Sequence, residues 1–162
     1  MSVEDNIDKI RATLTERVNL VAVSKYHTEK DILAAYSVGQ RHFGESRVQE
    51  LQIKHQNLPD DILWHFIGHL QTNKVKYIIP YIYIIESVDS LKLLREIEKC
   101  AAIYDRKVNV LLEIHVARES TKTGLSISQC RELLADGEWK EMPHVCICGI
   151  MTMATNTEDI DI

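Results

Sequence analysis

Lys25 closes the apolar run Leu20-Val21-Ala22-Val23-Ser24-Lys25, and a helical pattern opens three residues later at Thr28. A single amine so placed sits where a buried strand ends. In open α/β sheets and in (β/α) barrels alike, ligands gather at the carboxyl ends of the strands, because the loops there converge on one mouth. A lysine in that mouth can be desolvated and act as a nucleophile toward a carbonyl group. A lysine that merely ends a strand snorkels to water instead. The attacking amine must be neutral, whereas an ordinary lysine is almost wholly protonated at neutral pH, so the chemistry asks for burial or neighbouring positive charge. Arg41, Arg47 and Lys74 supply that field if they turn inward and are solvated surface charges if they do not.

Other polar residues fall at the ends of later apolar runs. Gly44-Glu45-Ser46 closes the second, Gly68-His69 with Gln71 the third, Ser87 the fourth and His115 the fifth. Gly68 offers a position without a side chain, where backbone could approach a flat ligand. His65, beside Trp64 inside its run, reads as a hydrogen-bonded structural histidine. Ser87 reads as a helix cap. Met151 and Met153 alternate with Thr152, so in a strand both methionines face one side and the threonine the other.

The elements that must position these residues follow one rhythm. Short apolar runs alternate with amphipathic stretches, the pattern of repeated βα units around a parallel sheet. Strands are predicted over Asn19 to Lys25, His42 to Glu45, Leu63 to Gly68, Tyr81 to Glu86, Val108 to Val116 and Val145 to Met153. Thr28 with Asp31 three residues on predicts a capped helix whose inward stripe is Ile32, Leu33 and Tyr36 and whose end is Gly39. A second helix is predicted from near Asp89 through Ala101, and a third from Ser126 or Ser128 to Gly137. Ser2 and Asp5 have capping-box spacing for a helix ahead of the first strand.

The 162 residues suit one domain, 1–162, with a sizeable core. The net charge of −5, with acids and bases interleaved, argues against a nucleic-acid surface. An acidic N-terminus without an apolar region predicts no secretory signal, and the run Tyr77 to Ile85, broken by Pro80, is too short to span a bilayer. A cytoplasmic protein is the expectation. Cys100, Cys130, Cys146 and Cys148 lack metal-site or redox spacing and read as reduced, mostly buried residues, with Cys146 and Cys148 on one face of their strand. No metal site and no catalytic base is assigned.

Several blocks together resemble the pyridoxal-phosphate homeostasis proteins, whose barrel is similar to the N-terminal domain of alanine racemase. They are Val21-Ala22-Val23-Ser24-Lys25, the stretch from Gly39 through Gly44-Glu45-Ser46 to Glu50, and Trp64-His65-Phe66-Ile67-Gly68-His69-Leu70-Gln71-Thr72-Asn73-Lys74, followed by Ile85-Glu86-Ser87-Val88-Asp89, Glu119 to Gly124, and Gly149-Ile150-Met151-Thr152-Met153. The resemblance implies an α/β fold, a (β/α) TIM-type barrel of the alanine racemase N-terminal type, with about six of its eight units in this chain. It implies that Lys25 forms a Schiff base with pyridoxal 5'-phosphate, that Ser46 stands where the family has an asparagine contacting the ring's phenolic oxygen, and that Met151 faces the cofactor. His115 also stands where the family often has asparagine, and the family's phosphate-binding serine- and glycine-rich loop has no counterpart before Ile162.

By the same resemblance the chain carries or buffers the cofactor in vitamin B6 and amino-acid homeostasis, with pyridoxal-phosphate-dependent apoenzymes as recipients. It would do so as a monomer, with no nucleic acid or membrane involved. Two other readings stand beside it: an amino-acid racemase-like enzyme using the same amine, and a truncated, cofactor-free scaffold that self-associates over its exposed strand edges.

Overall fold

A computed structural model of the chain describes residues 2–116 and 123–154. Six parallel strands, β1 (Ala22–Val23), β2 (His42–Glu45), β3 (Leu63–Phe66), β4 (Ile84–Val88), β5 (Val108–Ile114) and β6 (Val145–Thr152), form one sheet in the order β1-β2-β3-β4-β5-β6. Each crossover moves one strand over in the same direction. The order never reverses, so the sheet has no switch point of the doubly wound kind and curves as the arc of a (β/α) barrel. The helices α1 (Val3–Thr13), α2 (Glu29–Ser37), α3 (Val48–Asn57), α4 (Leu91–Ile103) and α5 (Ile127–Asp136) accompany it.

The core lies between strands and helices. Phe43, Trp64, Phe66, Ile85, Val110 and Leu112 pack toward the helices, meeting Leu51, Leu94, Ile97 and Ala101, all nearly inaccessible to water. Period-two alternation sends the intervening residues to the other face. That face carries His42, His65, Glu86 and Glu113 interleaved with Leu63, Ile84, Leu111 and Met151, so polar groups are set among apolar ones there.

Caps act where the sequence predicts them. Ser2 with Asp5 and Thr28 with Asp31 form reciprocal capping boxes, and Ser126 with Gln129 forms a third. Gly39 and Gly137 take φ of +86° and +77° at chain reversals after α2 and α5.

Several predicted boundaries need correction: the third strand ends at Phe66, the fourth at Val88 and the fifth at Ile114. The first strand is two residues long rather than seven, because Leu20 gives its carbonyl to the Gln40 side chain, at 2.7 Å, instead of to a ladder. The fourth begins at Ile84, not Tyr81, because the Arg106 guanidinium takes the carbonyls of Ile79 and Ile82 and stabilises a turn there. The fourth helix begins at Leu91 behind an Ser90 cap. Helix α3 carries no side-chain cap at Arg47, hence no start signal. Of the cysteines, Cys100 and Cys130 are buried as predicted, but Cys146 and Cys148 are exposed, their sulfurs 3.7 Å apart on β6.

His144, just ahead of β6, supplies a pH-dependent tie. Its ring Nδ1 lies 2.7 Å from the Glu98 carboxylate, and that hydrogen bond, helped by the charges of Glu98 and Asp105, outweighs burial and raises the imidazole pKa. A group whose folded pKa is raised stabilises fully below its unfolded value, about 6.5 for histidine. Thermal stability is therefore expected to fall as pH rises from about 6.5 through the raised value. His144→Gln should flatten that slope; an unchanged slope would assign it elsewhere.

Candidate functional site

A cavity of about 420 Å³ opens at the carboxyl ends of the strands, lined by Val21, Val23, Lys25, Ser46, Ile67, Gly68, His69, Glu86, Glu113, Thr123, Met151 and Met153. Every strand or the loop after it contributes. Parallel strands end together, so six loops can converge only at this mouth. The sequence-predicted residues Lys25, Ser46 and Met151 thus meet on one wall system although they lie far apart in the chain. Lys25 is exposed at the rim, while Ser46 and Met151 are half-buried. Met151 and Met153 share the cavity side, as their spacing requires.

The expected cationic field does not form from the three residues named for it. Arg41 stacks on the Tyr36 ring at 3.7 Å and pairs with Asp61 at 2.9 Å, and Arg47 lies 5.0 Å from the Tyr26 ring. Neither they nor Lys74 line the cavity. Among the described residues, the titratable groups that line the cavity with Lys25 are instead His69, Glu86 and Glu113.

Glu113 is a further wall residue, one that none of the sequence motifs contains. Burial pushes its carboxyl pKa up, more than the Thr123 hydroxyl at 3.0 Å can pull it down, and its Oε2 has no partner among the described residues. A carboxyl oxygen so placed is open to a polar group of an incoming ligand. The available signal is one acid inside Val108-Asn109-Val110-Leu111-Leu112-Glu113-Ile114, where neighbours on both sides are apolar.

Glu86 stands at the end of a second polar chain. Its Oε1 lies 2.5 Å from His65 Nδ1, and His65 Nε2 lies 2.9 Å from His42 Nδ1, beside the Tyr83 ring. Burial, then the neighbouring His65, lowers the His42 pKa. His65 is thus a hydrogen-bonded histidine within the arc, as its position predicts.

Two other expectations change. Ser87 caps no helix; its hydroxyl donates to the Gly68 carbonyl at 2.5 Å and ties β4 to the loop after β3. Gly68 is small for a protein neighbour, since a Cβ there would lie 2.4 Å from the Ser46 carbonyl oxygen. Gly68→Ala should therefore push Ser46 out of place and destabilise the fold by about 1–3 kcal/mol, the usual range for overpacking. Denaturant unfolding checks this, and wild-type stability would show that the loop yields freely. His115 leaves its Nδ1 buried without a partner among the described residues. Glu119 to Lys122 of the fifth motif lie outside the described residues.

An amine at the rim, apolar walls and an acid in the wall can receive a flat, ring-shaped carbonyl compound, and the volume falls in the range of small-molecule sites. The chain belongs to the family described as alanine racemase, N-terminal domain, whose model matches residues 1–161. Within that class it belongs with the pyridoxal phosphate homeostasis proteins. It is 35% identical to the one from Schizosaccharomyces pombe over 92% of this chain and 65% of that protein, and 31% identical to the one from Pasteurella multocida over 99% and 73%. The structure of PipY from Synechococcus elongatus with pyridoxal phosphate bound superposes with a TM-score of 0.86 at 33% identity, covering 96% of this chain and 72% of PipY. The chain spans about two thirds of the length of the curated relatives it matches.

Proposed function

We propose that this chain binds pyridoxal 5'-phosphate at the strand mouth, with Lys25 as its covalent attachment, and holds the cofactor for delivery to pyridoxal-phosphate-dependent apoenzymes in the cytoplasm. The observation that carries the reading is Lys25 at the rim of a cavity to which every strand end contributes. When bound, the cofactor supplies an aldehyde that accepts the amine and an electron-withdrawing ring that stabilises the product. Lys25 would be the residue that holds that aldehyde carbon covalently, through its side-chain nitrogen. Val21, Val23, Ile67 and Met151 offer apolar surface to the ring faces. The Ser46 hydroxyl can donate one hydrogen bond to a ring oxygen. The Glu113 carboxyl can meet a second polar group of the ligand.

The polar groups of the inner face fit such a ligand better than an empty core. Glu113 Oε2 is a buried atom without a partner among the described residues, and a polar ring substituent would provide one. Delivery also suits an exposed rim amine, since an acceptor can reach the bond that must be exchanged. No helix among the described residues is long and apolar enough to cross a membrane.

Mixing the protein with pyridoxal 5'-phosphate should produce a visible absorption band, and pyridoxine 5'-phosphate, which has no aldehyde, should produce none. Adding an apo-aminotransferase should then discharge the band as enzyme activity appears. A loaded protein that never reactivates the apoenzyme would reduce the role to storage. Absence of the band would remove the covalent reading altogether.

A further inference from the structure

The peptide units on either side of Lys25 are held by a buried ionic cluster that the cavity does not include. Lys54, on α3 and 5% exposed, directs its Nζ to Glu45 Oε1 at 2.6 Å, Glu50 Oε1 at 2.8 Å and the Ser24 carbonyl at 2.8 Å. Those three bonds use all its donors. The Ser24 hydroxyl donates to the same Glu45 oxygen at 2.7 Å, and the Tyr26 amide donates to Glu50 Oε1 at 3.0 Å. Ser24 and Tyr26 flank Lys25, so one cluster grips the chain before and after it.

Tyr26 adds a second observation. Its φ is +68°, left-handed backbone in a residue with an aromatic side chain that is itself largely exposed. Such a conformation persists only where surrounding bonds over-determine it. The Glu50 carboxylate on the Tyr26 amide, at 3.0 Å, is one such bond, beside the Ser24–His27 turn bond at 3.0 Å that spans Lys25 and Tyr26. Burial opposes ionisation of Glu50, but hydrogen bonds from Lys54 and the Tyr26 amide, with the charges of Lys54 and Arg47, prevail and hold its carboxyl below the usual glutamate range.

We propose that Glu50 and Lys54 are positioning residues that set the direction of Lys25 through the turned backbone at Tyr26. The cluster also distinguishes the two amines near this strand end. Lys54 is buried with every donor engaged and has none left for a ligand, whereas Lys25 is exposed at the cavity rim, where a ligand can meet it. The inference rests on the attachment proposed above, and its test contains an arm that needs no cofactor.

The rate of borohydride-trapped labelling of Lys25 by limiting pyridoxal 5'-phosphate is the first readout. Tyr26→Gly, which adopts left-handed backbone freely, should label at least as fast as wild type, whereas Tyr26→Val, whose branched side chain tolerates that conformation worse than tyrosine, should label several-fold more slowly. Glu50→Ala should be slowed similarly, with Glu50→Gln partly restored because its amide oxygen still accepts from Tyr26. Wild-type rates in both Tyr26→Val and Glu50→Ala would overturn the proposal. The second readout is hydrogen exchange at the Tyr26 amide without cofactor: protection in the wild type, lost in Glu50→Ala, supports the grip, and an unprotected wild-type amide overturns it. A wild-type protein that protects this amide yet takes no label locates the failure in the attachment reading, not in the grip.

Discussion

Lys25→Ala is expected to abolish borohydride-trapped pyridoxal-phosphate labelling while leaving stability within about 0.5 kcal/mol of wild type, the usual bound for an exposed substitution. The two effects separate because Lys25 lies at the rim, exposed, and contributes nothing to the packed layer between strands and helices. Chemistry is lost with the amine. Lys25→Arg sharpens the result, since a guanidinium keeps the positive charge but stays protonated and cannot condense with an aldehyde. A label retained by either variant would assign attachment to another lysine.

Trp64→Ala is expected to cost about 3–5 kcal/mol, a large part of the roughly 5–15 kcal/mol that holds a domain of this kind together. Trp64 is 1% exposed on β3, faces the helices and sits 6.1 Å from the Phe43 ring. Its neighbours His65 and Ile67 turn to the opposite face, where Ile67 lines the cavity. Loss of stability should therefore come without direct loss of a ligand contact, and labelling of whatever fraction stays folded should match wild type. Urea unfolding measures the first effect. A cost below about 1 kcal/mol would mean that the layer between sheet and helices closes over the vacancy, which interior packing seldom permits.

Which parts of this architecture are legible in the sequence depends on how local the physics is. Ser2 with Asp5, and Thr28 with Asp31, satisfy helix ends within four residues, so spacing alone exposes them. The strand periodicity likewise puts Met151 and Met153 on one side. Boundaries fail where a distant group intervenes: Arg106 takes the carbonyls of Ile79 and Ile82, and the Gln40 side chain takes that of Leu20. Helix α3 starts without a cap and gives no local sign.

The candidate site divides in the same way. Lys25, Ser46 and Met151 mark strand ends, and a parallel sheet brings strand ends together. Glu50 and Lys54, by contrast, have the four-residue spacing of an ordinary solvated helix pair, and only the Ser24 carbonyl and Glu45 carboxylate reveal that Lys54 is buried. Glu113 is readable in principle as the lone acid of an apolar strand. What no spacing shows is that Thr123, ten residues on, returns to meet one of its oxygens while the other stays open.

Reduction of the pyridoxal-phosphate-treated protein with borohydride, followed by proteolysis and mass mapping, tests the central claim most directly. One pyridoxyl group per chain, on the peptide containing Lys25, is the predicted result. Label scattered over surface lysines, or concentrated on any peptide without Lys25, would contradict it.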